Sequence, residues 1–113
     1  LVMKAVQAMH DECARAWTLD ALAQHAGLSR TSLAERFRES MGNTPLNYLR
    51  TLRMQKAMAA LTESERSLEQ IAREVGYTDA FSFSKVFKRT MGVAPRDFRR
   101  QDTEDKALAW RIG

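Results

Sequence analysis

Leu19-Asp-Ala-Leu-Ala-Gln-His-Ala-Gly27 returns as Leu68-Glu-Gln-Ile-Ala-Arg-Glu-Val-Gly76, at an offset of 49 residues. Phe37, Met41-Gly42 and Pro45 then return as Phe87, Met91-Gly92 and Pro95 at an offset of 50, so the second copy carries one extra residue after its turn. Self-similarity of this kind means that one chain builds two similar supersecondary units.

Each copy opens on a hydroxyl residue, Thr18 or Ser67, able to accept from the free amides of a first helical turn. Ser67 with Gln70 also makes a capping box. Leu19, Leu22, Ala23 and Ala26 fall at helical spacing, and Leu68, Ile71, Ala72 and Val75 repeat the stripe. Gly27 and Gly76 end these short helices, because a glycine there takes positive φ without a Cβ clash. Ser29 in the first copy, and Thr78 or Asp79 in the second, supply the next N-cap. Leu33 with Phe37, and Phe83 with Phe87, then lie one turn apart on an inner face, and Gly42 and Gly92 close these second helices. A short helix, a glycine-containing turn and a second helix with paired apolar anchors make a helix-turn-helix. Its occurrence twice in register is far more specific than a single one.

Working outward, Thr44-Pro45 begins a connecting helix, since proline at the first helical position loses no needed donor. Leu46, Met54, Ala57, Met58 and Leu61 carry it to about Leu61, roughly 17 residues or a rod of about 25 Å that would hold the separation of the two units nearly fixed. A leading helix is expected from Val2 to Ala14, with Val2, Val6, Met9 and Cys13 on one stripe. Pro95 starts a last short helix through about Arg100. For Gln101 to Gly113 two readings stand, a further turn around Ala107 to Trp110 or a frayed tail. The expected fold is all-α, with about seven helices forming two helix-turn-helix subdomains joined by a central connecting helix. The first unit with its leading helix covers residues 1–43, the connector 44–62, the second unit 63–100 and the tail 101–113. Leu33, Phe37, Leu49, Phe83, Phe87 and Phe98 are assigned to the cores by spacing, and Trp17 to the junction of the leading helix with the first unit. Trp110 is either a docking residue or part of the tail.

Composition narrows the function. With 113 residues, 44% hydrophobic and 28% charged, the chain fits one soluble domain or two small subdomains around a connector, too little for a large enzyme fold. No apolar run approaches the roughly 20 residues that span a bilayer, and the start shows no basic segment followed by an apolar stretch, which reads as cytoplasmic with no membrane partner. The opening at Leu1, directly into helical sequence, is what a piece of a longer protein with an upstream domain would show. Cys13 is the one cysteine, and His10 and His25 the two histidines. With no thiolate cluster, no suggestive carboxylate pair and no nucleophile beside a base, no metal, no cofactor and no catalysis are expected.

Net charge is +4, unevenly placed. Residues 1–20 and 101–113 are each net −1, whereas residues 68–100 hold Arg73, Lys85, Lys88, Arg89, Arg96, Arg99 and Arg100 against four acidic residues. A basic middle suits a polyanion, and a solvated basic face is the plainer alternative.

These residues resemble the AraC family of bacterial transcription regulators. The resemblance covers about Trp17 to Arg100: Leu22-Ala23, Gly27-Leu-Ser-Arg30, Phe37, Gly42, Pro45, Tyr48-Leu49, Arg53-Met54 and Ala57, then the long stretch from Ile71 to Pro95, which looks like the family signature. It implies the C-terminal DNA-binding part of a regulator whose sensing or dimerisation domain lies upstream. Its partners would be double-stranded DNA and RNA polymerase, the usual effect activation, and the location the bacterial cytoplasm, on the nucleoid when bound. The isolated piece would be monomeric, its parent dimeric through the missing domain.

At about 100° per residue, Thr31, Glu35 and Arg38 point away from the Leu33 and Phe37 side, with Ala34 at the edge, while Phe81, Lys85 and Lys88 point away from Phe83 and Phe87, with Ser82 and Ser84 flanking. The positions resembling the family's base readers are Thr31, Ala34 and Glu35 in the first unit and Ala80, Phe81, Ser82 and Lys85 in the second. Lys85 suits guanine, Ser82 a base or phosphate, and Thr31, Ala34 or Phe81 a thymine methyl. Glu35 either accepts from cytosine N4 or pairs with Arg38 or Arg30. Phe81 could instead be core, although its angle argues outward. Arg30, Arg36, Arg38, Arg50, Lys88 and Arg89 are the phosphate-contact candidates, each of which could equally be solvated. Two rival functions stand beside this one: a helical protein-protein adaptor without specific DNA binding, and a module attached to a repair enzyme, for which Cys13 has no catalytic setting.

Overall fold

The structure, a computed structural model, describes residues 1–112, with side chains to residue 109. Trp110 therefore lies outside the described side chains. Seven helices are described: α1 (Val2–Asp11), α2 (Leu19–Ala26), α3 (Arg30–Met41), α4 (Pro45–Glu63), α5 (Leu68–Glu74), α6 (Ala80–Met91) and α7 (Pro95–Ile112), with no strand among the described residues. They form two compact units, Leu1–Arg53 and Met54–Gly113. Helix α4 gives its first half to one and its second half to the other. No helix is long and apolar enough to cross a membrane.

The caps follow the sequence. Thr18 accepts from the Ala21 amide at 3.1 Å and Ser29 from Ser32 at 3.1 Å, and Ser67 with Gln70 closes its capping box. Between Thr78 and Asp79 the structure chooses Asp79, whose carboxylate accepts from Ser82 N–H at 2.7 Å. Gly27 and Gly76, at φ 74° and 98°, turn the chain after α2 and α5.

In the Leu1–Arg53 unit, α1 lays Ala5, Val6, Ala8 and Met9 against Leu22, Ala23, Ala26, Leu33 and Phe37, and α4 closes the core with Leu49 and Leu52. In the Met54–Gly113 unit the second half of α4 supplies core residues. Its Met54, Ala57, Ala60 and Leu61 pack with Ile71, Ala72, Val75, Phe83 and Phe87. The repeat extends to ring geometry. Phe37 meets Tyr48 edge to face at 5.6 Å and 71°, and Phe87 meets Phe98, each fifty positions on, at 5.6 Å and 72°. Of the six residues assigned to the cores, Leu33, Phe37, Leu49, Phe83 and Phe87 are buried, and half-buried Phe98 packs against the core that holds Phe83 and Phe87. Cys13 is a buried free thiol.

Two helix ends depart from expectation. Helix α1 stops at Asp11 instead of Ala14, and tertiary donors hold the carbonyls beyond that end in a turn: Trp17 Nε1 donates to Glu12 O at 2.9 Å, and the Arg53 guanidinium donates to Cys13 O at 3.0 Å and Arg15 O at 2.9 Å. Trp17 is buried at the junction assigned to it. Helix α7 runs past Arg100 to Ile112, which replaces both a short helix and a frayed tail. No glycine or proline interrupts Gln101 to Ile112, and Glu104, Lys106, Ala107 and Leu108 are good helix formers. Lys106 Nζ pairs with Asp102 at 3.0 Å one turn back, and also donates to Thr62 O at 2.9 Å, tying α7 to the end of α4.

Candidate nucleic-acid interface

The second helix of each helix-turn-helix is two-sided. On α3, Leu33 and Phe37 are wholly buried while Thr31, Glu35, Arg36 and Arg38 are exposed and Ala34 is half-buried. On α6, Phe83 and Phe87 are wholly buried while Phe81, Lys85, Lys88 and Arg89 are exposed, and Ala80, Ser82 and Ser84 are half-buried. The angular assignment of these residues therefore holds.

On α3 the structure gathers Arg30, Thr31, Ala34 and Glu35 around one shallow depression of about 350 Å³, with Leu19 of α2 as its fifth wall. Leu19 was visible in the sequence only as a core-stripe residue, and its half-exposure is new. The Arg30 guanidinium is committed to Asp20, Nε to Oδ1 at 3.1 Å, so Glu35 does not have it as a partner. Both of those side chains are largely exposed, so the pair contributes little to stability. Arg50, on α4, donates to Asn47 Oδ1 at 3.1 Å and is exposed.

On α6, Phe81 is 72% exposed, the most exposed of the large apolar side chains described. It stands in water on a helix whose other two phenylalanines are wholly buried. Lys85 lies one turn on, its Nζ 5.2 Å from the Phe81 ring centroid, within cation–π range. The amides at the start of α6 are taken by carboxylates, Ser82 N–H by Asp79 and Ala80 N–H by Glu69 Oε2 at 2.8 Å. The Asp79 carboxyl is held below the ordinary carboxylate range, chiefly by the Ser82 N–H and then its hydroxyl, with partial burial opposing and the Phe81 N–H adding. Sequence reading missed the Asp20 and Glu69 contacts. The signal was present, since both carboxylates occupy the same place in the repeat, 49 residues apart.

This chain matches the helix-turn-helix domain family over residues 22–101. It is 39% identical over 103 residues to an AraC-like transcription regulator of Streptomyces lividans, covering 91% of this chain and 34% of that one. It is 38% identical over 96 residues to the RCS-specific transcriptional activator RclR of Escherichia coli K12, covering 85% of this chain and 34% of that one. Among solved structures, the DNA-binding domain of the global transcriptional factor AdpA, crystallised with a target DNA, superposes with a TM-score of 0.83 at 26% identity, covering 88% of this chain and 90% of that one. The chain belongs to the AraC family of transcription regulators and corresponds to their DNA-binding helix-turn-helix domain. It spans about a third of the length of the curated relatives it matches.

Proposed function

We propose that this chain binds double-stranded DNA sequence-specifically, with α3 and α6 as recognition helices in adjacent major grooves, and that the regulator it serves activates transcription through RNA polymerase. The observation that carries the reading is the exposed pair Phe81 and Lys85 on the side of α6 opposite buried Phe83 and Phe87. An ammonium that can donate to guanine O6 and N7, beside a ring that can meet a thymine methyl, is chemistry matched to a major-groove floor. Ala80 and Ser82 complete that surface on α6, and Thr31, Ala34 and Glu35 form its counterpart on α3. Arg30, Arg36, Arg38, Arg50, Lys88 and Arg89 hold phosphates and so set register without reading sequence. Activation is supported by the Escherichia coli relative, which is named an activator. The chain acts in the bacterial cytoplasm, on the nucleoid when bound. It binds one site as a monomer, the parent dimerising through a further domain.

Selection of bound duplexes from a random pool tests this reading. A defined site of about two helical turns is expected. The absence of any enriched sequence would overturn it in favour of a protein-binding adaptor.

A further inference from the structure

The first three amides of a helix have no partner inside it, and an N-cap side chain reaches only the second or third. On α6 the N-cap Asp79 serves Ser82, the third residue, and leaves Ala80, the first, to find an acceptor elsewhere. Glu69 supplies it from the second position of α5, across eleven residues, in a half-buried hydrogen bond of 2.8 Å. The bond spans the turn of the helix-turn-helix, from the start of its first helix to the start of its second. The repeat-equivalent carboxylate, Asp20, also reaches the first residue of the following helix, but there it meets the Arg30 side chain. Asp20 has one methylene fewer, and its turn one residue fewer.

We infer that Glu69 is a positioning residue for sequence recognition: by holding the Ala80 amide it fixes the rotation and axial position of α6, and with them where Phe81, Ser82 and Lys85 meet base edges. This inference rests on the groove placement proposed above. Asp79 serves the Ser82 amide and, more weakly, that of Phe81, but not the Ala80 amide, so without Glu69 the first residue of α6 loses its acceptor and the start of the helix its second anchor. With α6 in a groove, the Glu69 charge would oppose DNA binding, so any gain in recognition from Glu69 comes through the bond to the Ala80 amide.

The test uses the whole chain and the duplex it selects, with either half of the site scrambled in turn. Glu69→Ala should lose about tenfold of the preference for the half read by α6, roughly the discrimination of one base pair, while the half read by α3 keeps its preference. Hydrogen exchange at the Ala80 amide should speed up in the same variant. Glu69→Gln, which keeps an acceptor oxygen and removes the charge, should retain the preference and bind somewhat more tightly at low salt. Met58→Ala, which loosens the same core away from the start of α6, controls for stability and should leave the preference intact. Glu69→Ala with unchanged preference or unchanged Ala80 exchange would overturn the inference alone, as would loss of preference in Met58→Ala to the same degree. A wild-type chain that selects no second half would overturn the groove placement itself, and the inference with it.

Discussion

The Lys85 ammonium lies 5.2 Å from the centroid of the Phe81 ring, one turn along α6 and on the side opposite its buried phenylalanines. An exposed cation–π contact of this kind is worth about 0.5–1 kcal/mol, enough to bias the lysine toward one direction but not to hold the fold together. Binding and folding should therefore separate within one helix. Lys85→Ala should leave thermal melting nearly unchanged, yet weaken binding to the selected duplex by about 1–3 kcal/mol and relax preference at one or two base pairs. Phe87→Ala removes a wholly buried side chain and should destabilise its unit by about 3–5 kcal/mol. Melting curves of the two variants that coincide would remove Lys85 from the contact surface.

Asp79 makes the start of α6 acid-sensitive. Its carboxyl is held below the ordinary range, so its contribution is complete above the unfolded value near pH 4 and fades as the pH falls through the lower folded value. Asparagine caps about as well as aspartate but does not titrate. Asp79→Asn should thus melt like the parent at pH 7 and lose less stability between about pH 4 and pH 2. Parallel pH dependences for the two proteins would contradict this.

The loop after α1 depends on Arg53, whose fork takes the carbonyls of Cys13 and Arg15 together. Arg53→Ala should lower the stability of the Leu1–Arg53 unit by about 2 kcal/mol, since hydrogen bonds from a charged donor are worth more than neutral ones. Arg53→Lys should recover only part of it, because an ammonium lacks the planar fork. Chemical denaturation followed by Trp17 fluorescence reads this directly. Full recovery by lysine would mean that charge, not geometry, holds the loop.

With Arg30 on a phosphate as proposed, Asp20 would compete with DNA for its guanidinium. Asp20→Asn leaves the fold essentially untouched, the ion pair being exposed, and frees the guanidinium for a phosphate. Affinity at low salt should rise by a similar factor for every sequence. A change confined to one base position would place Arg30 among the base readers instead.

The repeat, the caps at Thr18, Ser29 and Ser67, and the buried faces were legible because they rest on local spacing and short-range hydrogen bonding. Phe81 could be placed outside by angle alone because Phe83 and Phe87 define the inner face so strongly. What the sequence did not reveal lies in contacts between distant residues. Arg53 on the Cys13 and Arg15 carbonyls and Arg99 on the Leu61 and Ser64 carbonyls are each one long side chain finding backbone acceptors more than thirty residues away, a pairing with no periodicity to detect. The turn that follows α1 is held by the first of these. The length of α7 was misjudged for the opposite reason: an acidic, polar composition at Gln101 to Asp105 resembles a tail, while its helix propensity and the Lys106 contacts support a helix.

The central claim, that one chain reads two adjacent major grooves, is tested most directly by a half-turn insertion. Reading helices on one side of the duplex need half-sites about 10 bp apart. Binding of the purified chain to its selected duplex should be one to one, and inserting about 5 bp between the halves should reduce it to the affinity of a single half. Undiminished binding after the insertion, or a stoichiometry of two chains per intact site, would contradict the account.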